Sequence, residues 1–507
     1  MPASGKNTGR KPAQSVLTAR LNGHVTLGAQ ADGNVVARFE GYGAQSLGKF
    51  APAVLKRLDE LRTGLPLASM ASGRAADKEI NLLAQRLARS GLLEYRLGPA
   101  RGGQDRVVIE PQIADYWPQI AKIGNTDTIA LSRFAYLRRR GKEMVLESPR
   151  AGALFKIADP KIAAALVTLS QPQKINRYRK ERDFPGLELL GLLVDCQILF
   201  KLGSGDADGL RPSEGDPNLV LWDFHDMLFH THSTEGRQAN PLGGLYSYSD
   251  LMAPLPAVRP PWPGQSIDLN GATAPAPTPF AILLDERHSV RDFDDEHPIT
   301  LGELATLLQT AARVRAKWTA SADMGNEGLS GEGPGDKGPE VAYASRPYPS
   351  GGAAYELELY LAVAKCEGLA RGFYHYDADR HALTPIEARP KEFDAQLSDA
   401  EFATGASGLP QILIVIAARF GRVSWKYSSV AYSLILKDVG VLTQTLYLAA
   451  TDLGLGGCAI GTNNIDRFAR MTGLEFSVEG PVGQFALGRG IKPERDDGPD
   501  DGRNPGG

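Results

Sequence analysis

Apolar residues along this chain change period several times, and each change predicts an element. Over Leu301 to Val314 they recur at the three-and-four spacing of a helix buried on one face, and Thr300 with Glu303 supplies the T-x-x-E pattern that caps such a helix at its start. Val430, Leu434, Val441, Thr445 and Leu448 keep helical spacing through a longer run, Val430 to Leu453, which Gly454 closes as a C-terminal glycine. Alternation in Tyr355-Glu356-Leu357-Glu358-Leu359-Tyr360 and the run Gly483 to Leu487 predict strands.

The first 200 residues use one order of elements twice. Residues 16 to 98 give alternating apolar segments, a helix around Phe50 to Leu61, then Leu82 to Leu97, ending Leu93-Glu94-Tyr95-Arg96-Leu97-Gly98. Residues 132 to 203 repeat that order and end Ile198-Leu199-Phe200-Lys201-Leu202-Gly203. Short strands, a helix and a second helix leading into a strand predict a winged-helix-like module in tandem. Residues 254 to 279 are dense in Pro and Gly and predict a semi-rigid connector. The Gly-rich, acidic stretch from Ser321 to Pro339 and the tail after about Pro493 are expected to be mobile.

Composition narrows the classes. At 507 residues the chain has room for two to four domains, and a net charge of -3 with pI near 6.3 gives no general pull toward nucleic acid. Arg138-Arg139-Arg140 with Lys174, Arg177, Arg179, Lys180 and Arg182 is a local basic cluster that, on a winged-helix-like module, invites DNA, although charge runs are usually solvated faces and such folds also dock extended peptides on a strand edge or groove. Cys196, Cys366 and Cys458 form no C-x-x-C pair, so neither a disulfide framework nor zinc is indicated. With no signal-peptide core and no run of 18 apolar residues, the expectation is a soluble protein of the reducing cytoplasm, with no membrane partner.

Two motifs lose their first appeal on closer reading. His225, His230 and His232 crowd the stretch Trp222 to Ser233, with His230 and His232 on one side if it is a strand. No acidic or cysteine partner falls at zinc spacing, and the interleaved aromatics suit a packed structural segment, so no metal is expected. Gly454-Leu455-Gly456-Gly457-Cys458-Ala459 satisfies G-x-G-x-x-A, but it follows a helix where a dinucleotide site needs a preceding strand.

Candidate chemistry concentrates after residue 286. The string Glu286-Arg287-His288-Ser289-Val290-Arg291-Asp292-Phe293 sets two guanidiniums and a hydroxyl within five residues, a donor set that suits a phosphate dianion. On a helix, Arg287 and Arg291 would equally share one solvated face. Arg346-Pro347-Tyr348-Pro349-Ser350-Gly351-Gly352 reads as a turn that exposes backbone amides and lets a flat ring lie against the main chain. Lys426-Tyr427 alone is a commonplace dipeptide, a surface lysine beside a half-buried tyrosine.

Taken in order with the capped helix, the strand at Tyr355, Gly372-Phe373-Tyr374-His375-Tyr376-Asp377, Lys437-Asp438-Val439-Gly440 and Gly454 to Gly461, these motifs resemble the nitroreductase-like flavoproteins over about 280 to 490. More narrowly they resemble the SagB-type branch, the azoline oxidases of thiazole/oxazole-modified peptide pathways. The stretch Trp222 to His230 is similar to the W-x-F-H-x-x-x-F-H segment ahead of the flavin domain in that branch.

The resemblance implies an α+β fold with a C-terminal nitroreductase-like FMN domain behind tandem winged-helix-like peptide-recognition modules. Its boundaries would be a tail 1–15, modules 16–125 and 126–210, a connector 211–279, the FMN domain 280–495 and a tail 496–507. It implies that Arg287, Ser289 and Arg291 hold the FMN phosphate, with His288 assisting through main chain or stacking. Pro349, Ser350 and Gly351 would line the ring, Gly461 and Thr462 would bring amides to its N5 edge, and Gly488 and Arg489 would add a phosphate contact. Lys426 would be the base and Tyr427 its positioning or relay partner, with Arg422 and Trp425 nearby. A lysine withdrawn from water can surrender its proton near neutrality.

The implied reaction is the oxidation of thiazolines or oxazolines to azoles in a ribosomally made precursor peptide, with molecular oxygen as final acceptor. The implied partners are that peptide, a cyclodehydratase and a second copy in a homodimer. A nitro- or flavin-reductase using NAD(P)H, or a scaffold that has lost turnover, are the alternatives; tandem docking modules argue against the first and the intact Lys426-Tyr427 pair against the second.

Overall fold

The computed structural model describes residues 15–39, 44–71, 74–99, 105–180, 186–203, 214–239, 242–272, 276–321 and 339–491. Both expected tails, most of the 321–339 stretch, Arg182 and the side chains of Arg179 and Lys180 lie outside the described residues. The chain forms two compact units, 1–241 and 242–507, so the division falls inside the stretch expected to be a connector.

The first unit starts with β1 (Ser15–Leu21), a meander of β2 (Val25–Ala29), β3 (Asn34–Phe39) and β4 (Ala44–Lys49), the short β5 (Leu65–Pro66) and, after the helix Ala75–Arg89, β6 (Leu93–Pro99). After β7 (Val107–Pro111) come β8 (Thr128–Leu131), a meander of β9 (Tyr136–Arg140), β10 (Glu143–Glu147) and β11 (Ala153–Ile157), the short β12 (Gln173–Lys174) and, after the helix Gly186–Asp195, β13 (Leu199–Lys201). Local pairing follows one order twice, β5-β1-β6 and β12-β8-β13.

The halves are nevertheless not two separately packed modules. Strand β7 pairs with β6 on one side and β11 on the other, which joins them in a seven-stranded sheet, β5-β1-β6-β7-β11-β10-β9. Ile80, Leu83, Leu87 and Tyr95 from the first half share one core with Phe155, Ile162, Leu189 and Leu193 from the second. Val107 and Ile109 of β7 are fully buried, so a cut between the halves would expose apolar surface on both. The helix expected over Phe50 to Leu61 is two short pieces, Pro52–Leu55 and Leu58–Thr63.

The histidine-rich stretch is a packed helix, Phe224–His232, as its interleaved aromatics suggest, so His230 and His232 do not align on one side as they would on a strand. Asp223 caps it by accepting the His225 amide. His230 is completely buried and stacks on Trp222, with ring centroids 5.8 Å apart. Among the described residues no group of His, Cys, Asp or Glu could hold a metal ion, and no helix is long and apolar enough to cross a membrane.

In the second unit a hairpin of β14 (Ala316–Ser321) and β15 (Glu340–Ser345) stands beside a six-stranded antiparallel sheet. That sheet consists of β16 (Leu357–Val363), β17 (Gly372–Asp377), β18 (Ala382–Ile386), β19 (Ile412–Arg419), β20 (Gly456–Ile460) and β21 (Glu479–Gly488), ordered β18-β17-β16-β19-β21-β20. Strand β19, ILIVIAAR, is buried over its first seven residues, the continuous apolar run of a strand covered on both faces. Leu413, Val415 and Ala417 pack with the helices Pro390–Thr404 and Ile465–Thr472, whose Phe393, Leu397, Phe468 and Met471 enter the same cluster. The long helix Ala431–Asp452 also packs on the sheet, touching β16, β20 and β21, and lies against the helix Leu301–Ala312. The latter carries the expected capping box, with Thr300 Oγ accepting the Glu303 amide and Glu303 accepting the Thr300 amide.

Burial pushes the His230 imidazole down from 6.5 to about 3, so it folds neutral. A group with a depressed folded value binds its proton more tightly when unfolded, so the stability it supports is present above 6.5 and lost as pH falls toward 3. We expect His230→Phe to flatten the acid limb of a pH-resolved thermal melt by up to about 1.4 kcal/mol per pH unit across that window. An unchanged limb would show that this histidine is not the acid-sensitive group.

Candidate active site

The R-x-S-x-R string is not helical. The helix Pro279–Glu286 ends at Arg287, whose ψ of 119° turns the chain extended alongside β20. Ser289 bridges Gly457, and the Val290 amide donates to the Gly457 carbonyl at 2.9 Å. Extended backbone rises about 3.3 Å per residue, so Arg287 and Arg291 stand roughly 13 Å apart along the chain and do not meet as helix neighbours. On one side the Arg287 guanidinium lies over the Tyr447 ring, 5.3 Å from its centroid, and the Ser289 hydroxyl is 2.9 Å from the Tyr447 hydroxyl. Tyr447 in turn accepts the Ala459 amide at 2.8 Å, tying string, long helix and β20 together.

On the other side His288 and Val290 join Asp294, His297, Leu455 and Arg489 around a cavity of about 740 Å³. Arg489, expected to touch a phosphate, is already engaged: its Nη2 reaches both oxygens of Glu303 at 2.6 and 2.8 Å, and its Nε donates to the His297 carbonyl at 3.0 Å. Burial alone would raise the Glu303 carboxyl, yet the Thr300 amide, Arg489 and the Thr300 hydroxyl together hold it below the usual carboxylate range. Gly488 is a glycine because a Cβ there would lie 2.7 Å from the Phe293 ring and 2.8 Å from Gln411.

Among the described residues neither Arg287 nor Arg291 forms an ion pair. The carboxylate next to Arg291, Asp292, is taken by the amide and hydroxyl of Ser407 at 2.8 and 2.7 Å. Two guanidiniums without acidic partners and a hydroxyl on one short extended stretch fit a phosphate-bearing ligand. The glycines of the G-x-G-x-x-A string serve packing instead: a Cβ at Gly456 would lie 2.5 Å from Val290, and one at Gly457 would lie 2.3 Å from Phe485. At Gly461, where β20 has ended, a Cβ would meet nothing within 4 Å. The Thr462 carbonyl is held by the Gln484 amide group, which fixes the chain just past that opening.

The turn after Pro349 bears unusual backbone. Gly352, Ala353 and Tyr355 have φ of 61°, 55° and 44°, and left-handed geometry at the two residues with side chains costs on the order of 1 kcal/mol each. Side chains from elsewhere hold it. Asp438, on the long helix, accepts the Gly351 amide with both oxygens at 2.9 and 3.2 Å, so that amide faces inward and is not exposed as the sequence suggested. Ser350 Oγ accepts the Tyr355 amide at 2.9 Å and donates to Glu356 at 3.3 Å. Arg422 donates twice to the Ala354 carbonyl, at 3.0 and 3.2 Å, so it clamps the turn. Trp425 is half exposed.

Lys426 and Tyr427 meet this turn at Gly352. A Cβ built there would lie 2.3 Å from the Tyr427 hydroxyl and 2.9 Å from Lys426 Nζ, so only glycine leaves both groups where they stand. Lys426 Nζ is 5.3 Å from the Tyr427 ring centroid, and the lysine is exposed in the isolated chain. The withdrawal from water that would ready it as a base must therefore come from whatever binds over it.

Sequence reasoning gave no role to Tyr447, Glu356 or Asp438. Asp438 did carry a signal: it falls in the buried stripe of Ala431, Ile435, Leu442 and Leu446, where a carboxylate needs a specific reason to be. Burial lifts Glu356 well above the usual carboxylate range, reinforced by Asp438 beside it.

A model of the nitroreductase family matches residues 284–489, and one of the cyanobactin oxidase ThcOx matches residues 129–239. The Escherichia coli microcin B17-processing protein McbC is 30% identical over 122 residues, 23% of this chain and 44% of that protein. A Methanocaldococcus jannaschii protein provisionally named a nitroreductase is 33% identical over 113 residues, 22% of this chain and 56% of that protein. The chain thus spans about half the length of the curated relatives it matches. The solved E. coli microcin synthetase McbBCD complex with truncated pro-MccB17 bound is similar at a TM-score of 0.38 and 19% identity, over 56% of this chain and 98% of that one. The nitroreductase match covers the R-x-S-x-R string, the Pro349–Gly352 turn and Lys426-Tyr427, and the cyanobactin-oxidase match lies ahead of it, so residues 284–489 of the chain are similar to the nitroreductase family and residues 129–239 to the cyanobactin oxidase.

Proposed function

We propose that this chain is an FMN-dependent oxidoreductase that converts thiazolines or oxazolines to azoles in a ribosomally made peptide. The observation that carries the reading is the meeting of Lys426 and Tyr427 with Gly352, because it sets a candidate base against the turn proposed to line a flat cofactor. Arg287, Ser289 and Arg291 would hold the FMN phosphate, with His288 contributing through its main chain. Pro349, Ser350 and Gly351 would flank the ring, and Gly461 and Thr462 its N5 edge. Gly488 and Arg489 would brace the phosphate end through Glu303, since that guanidinium is committed. When bound, FMN would supply hydride acceptance and pass the electron pair to molecular oxygen.

The protein's own task is the proton. Aromatisation removes a proton from the ring carbon derived from Cα and a hydride from its neighbour, so one positioned base is required. Lys426 would take that proton once the peptide covers it, with the Tyr427 hydroxyl orienting the heterocycle.

The precursor peptide would dock on the first unit, whose sheet ends at β9, an edge an extended segment could extend. Within the Arg138-Arg139-Arg140 cluster, Arg138 pairs with Glu147 and Arg140 with Glu110, which leaves Arg139 as the cation for an acidic leader. A homodimer is favoured by the second unit's apolar exposure: Leu251, Leu255, Val258 and Ile267 are 80 to 86% exposed. A cyclodehydratase would deliver the azoline, in the cytoplasm. The nitroreductase-family match keeps one alternative open, reduction of nitro compounds or flavins by NAD(P)H.

Arg287→Ala with Arg291→Ala should yield largely colourless protein by flavin absorbance, and undiminished FMN content would contradict the phosphate assignment. Lys426→Ala should stay yellow yet leave azolines unoxidised, seen as absence of the two-hydrogen mass loss per ring, with activity down on the order of a hundredfold or more. Wild-type protein that consumes NAD(P)H with a nitroarene and ignores azoline peptide would favour the reductase.

A further inference from the structure

We propose that Glu356 and Asp438 hold a single proton between them and act as the positioning pair for the Ser350–Gly352 turn, and through it for the contact of Gly352 with Lys426 and Tyr427. The inference rests on the cofactor reading above only where flavin affinity is concerned.

Glu356 has no exposed surface and Asp438 is 6% exposed, and their carboxyls adjoin. Among the described residues neither forms an ion pair. Two adjoining carboxylates without a cation cannot both ionise away from water, so one proton stays. Asp438 is the member that anchors the turn, since both of its oxygens accept the Gly351 amide. Glu356 behaves as the neutral member: one oxygen receives the Ser350 hydroxyl, while Oε1 is buried with no donor, which an ionised oxygen would tolerate poorly.

Among the described residues, the nearby cations and donors are engaged elsewhere or make no ion pair with either carboxyl. From the turn, Tyr348 is buried with its hydroxyl unpartnered. From the sheet, Arg346 bonds the Leu357 carbonyl through Nη1 and faces Glu358 through Nη2, while its Nε has no partner and makes no ion pair with Glu356 or Asp438. On the far side, Arg422 donates to the Ala354 carbonyl, and Lys426 Nζ lies beside Gly352 and forms no ion pair with either carboxyl among the described residues. Lys437, beside Asp438 on the long helix, is exposed. The turn these carboxyls hold contains three left-handed residues, so losing the clamp lets it relax and moves the wall against which Lys426 and Tyr427 stand.

Glu356 is raised from 4.5 to about 7, chiefly by burial. The linked stability is therefore fully present below 4.5 and lost as pH rises through about 7.

The test uses the full chain in two arms. Infrared spectra of wild-type protein with 13C-carboxyl glutamate, without added cofactor, should show at about pH 6 a protonated-carboxyl band that shifts with the label, fades toward pH 8 and is absent from Glu356→Gln. That variant keeps a neutral donor at the position, so it should fold, and its melting temperature should vary less with pH between 5 and 8. No labelled band in wild-type protein, or the same band in Glu356→Gln, overturns the shared proton, and the wild-type spectrum decides even if a variant misfolds. In the second arm Asp438→Ala, which removes the acceptor for Gly351, should weaken FMN binding about tenfold or more by fluorescence titration, while Glu356→Gln stays within about threefold of wild type. Wild-type affinity in folded Asp438→Ala overturns the positioning role. Wild-type protein that binds no FMN sinks the cofactor reading instead and leaves the infrared result standing.

Discussion

The hydrogen bonds from the Gly351 amide to Asp438 are what the rest of the site depends on, because they tie a strained turn to the long helix of the second unit. Nine residues along the same helix, about 13 Å at helical rise, Tyr447 anchors Ser289 and the Ala459 amide. One rigid rod thus fixes the separation between the turn and the arginine string. The rod is held by apolar burial on one stripe, and the two polar anchors are exceptions whose cost is offset by the bonds they make.

Much of this was legible in the sequence, for local reasons. The capping box at Thr300 and Glu303 and the long helix from Ala431 follow from short-range rules that tertiary contacts did not override. The R-x-S-x-R string was legible as chemistry but not as geometry: nothing local says that Arg287 leaves the helix and lies along β20. Likewise, Arg489 looked available because Glu303 lies far off in sequence, and only the fold brings them together. Asp438 and Glu356 went unassigned because a carboxyl pair is a property of two elements, and neither element announces the other.

The first unit teaches the same lesson on a larger scale. A repeated order of strands and helices was visible in the apolar pattern, and the pairing orders β5-β1-β6 and β12-β8-β13 repeat accordingly. That β7 would weld the two halves into one sheet was not, because Val107 to Pro111 is a short apolar run that pairs with its sequence neighbour β6 on one side but on the other with β11, far along the chain. Independence of two repeats depends on the strand between them, and period alone is silent on that strand.

Strand β21 lies between β19 and β20, although both are made before it. During synthesis those two strands wait with open edges until residues 479–488 emerge, and only then does Arg489 reach Glu303 and the string at Phe293 find Gly490. Unpaired edges on a growing chain are sticky. Until residues 479–488 are in place, each of these strands therefore keeps an edge that another chain could pair with.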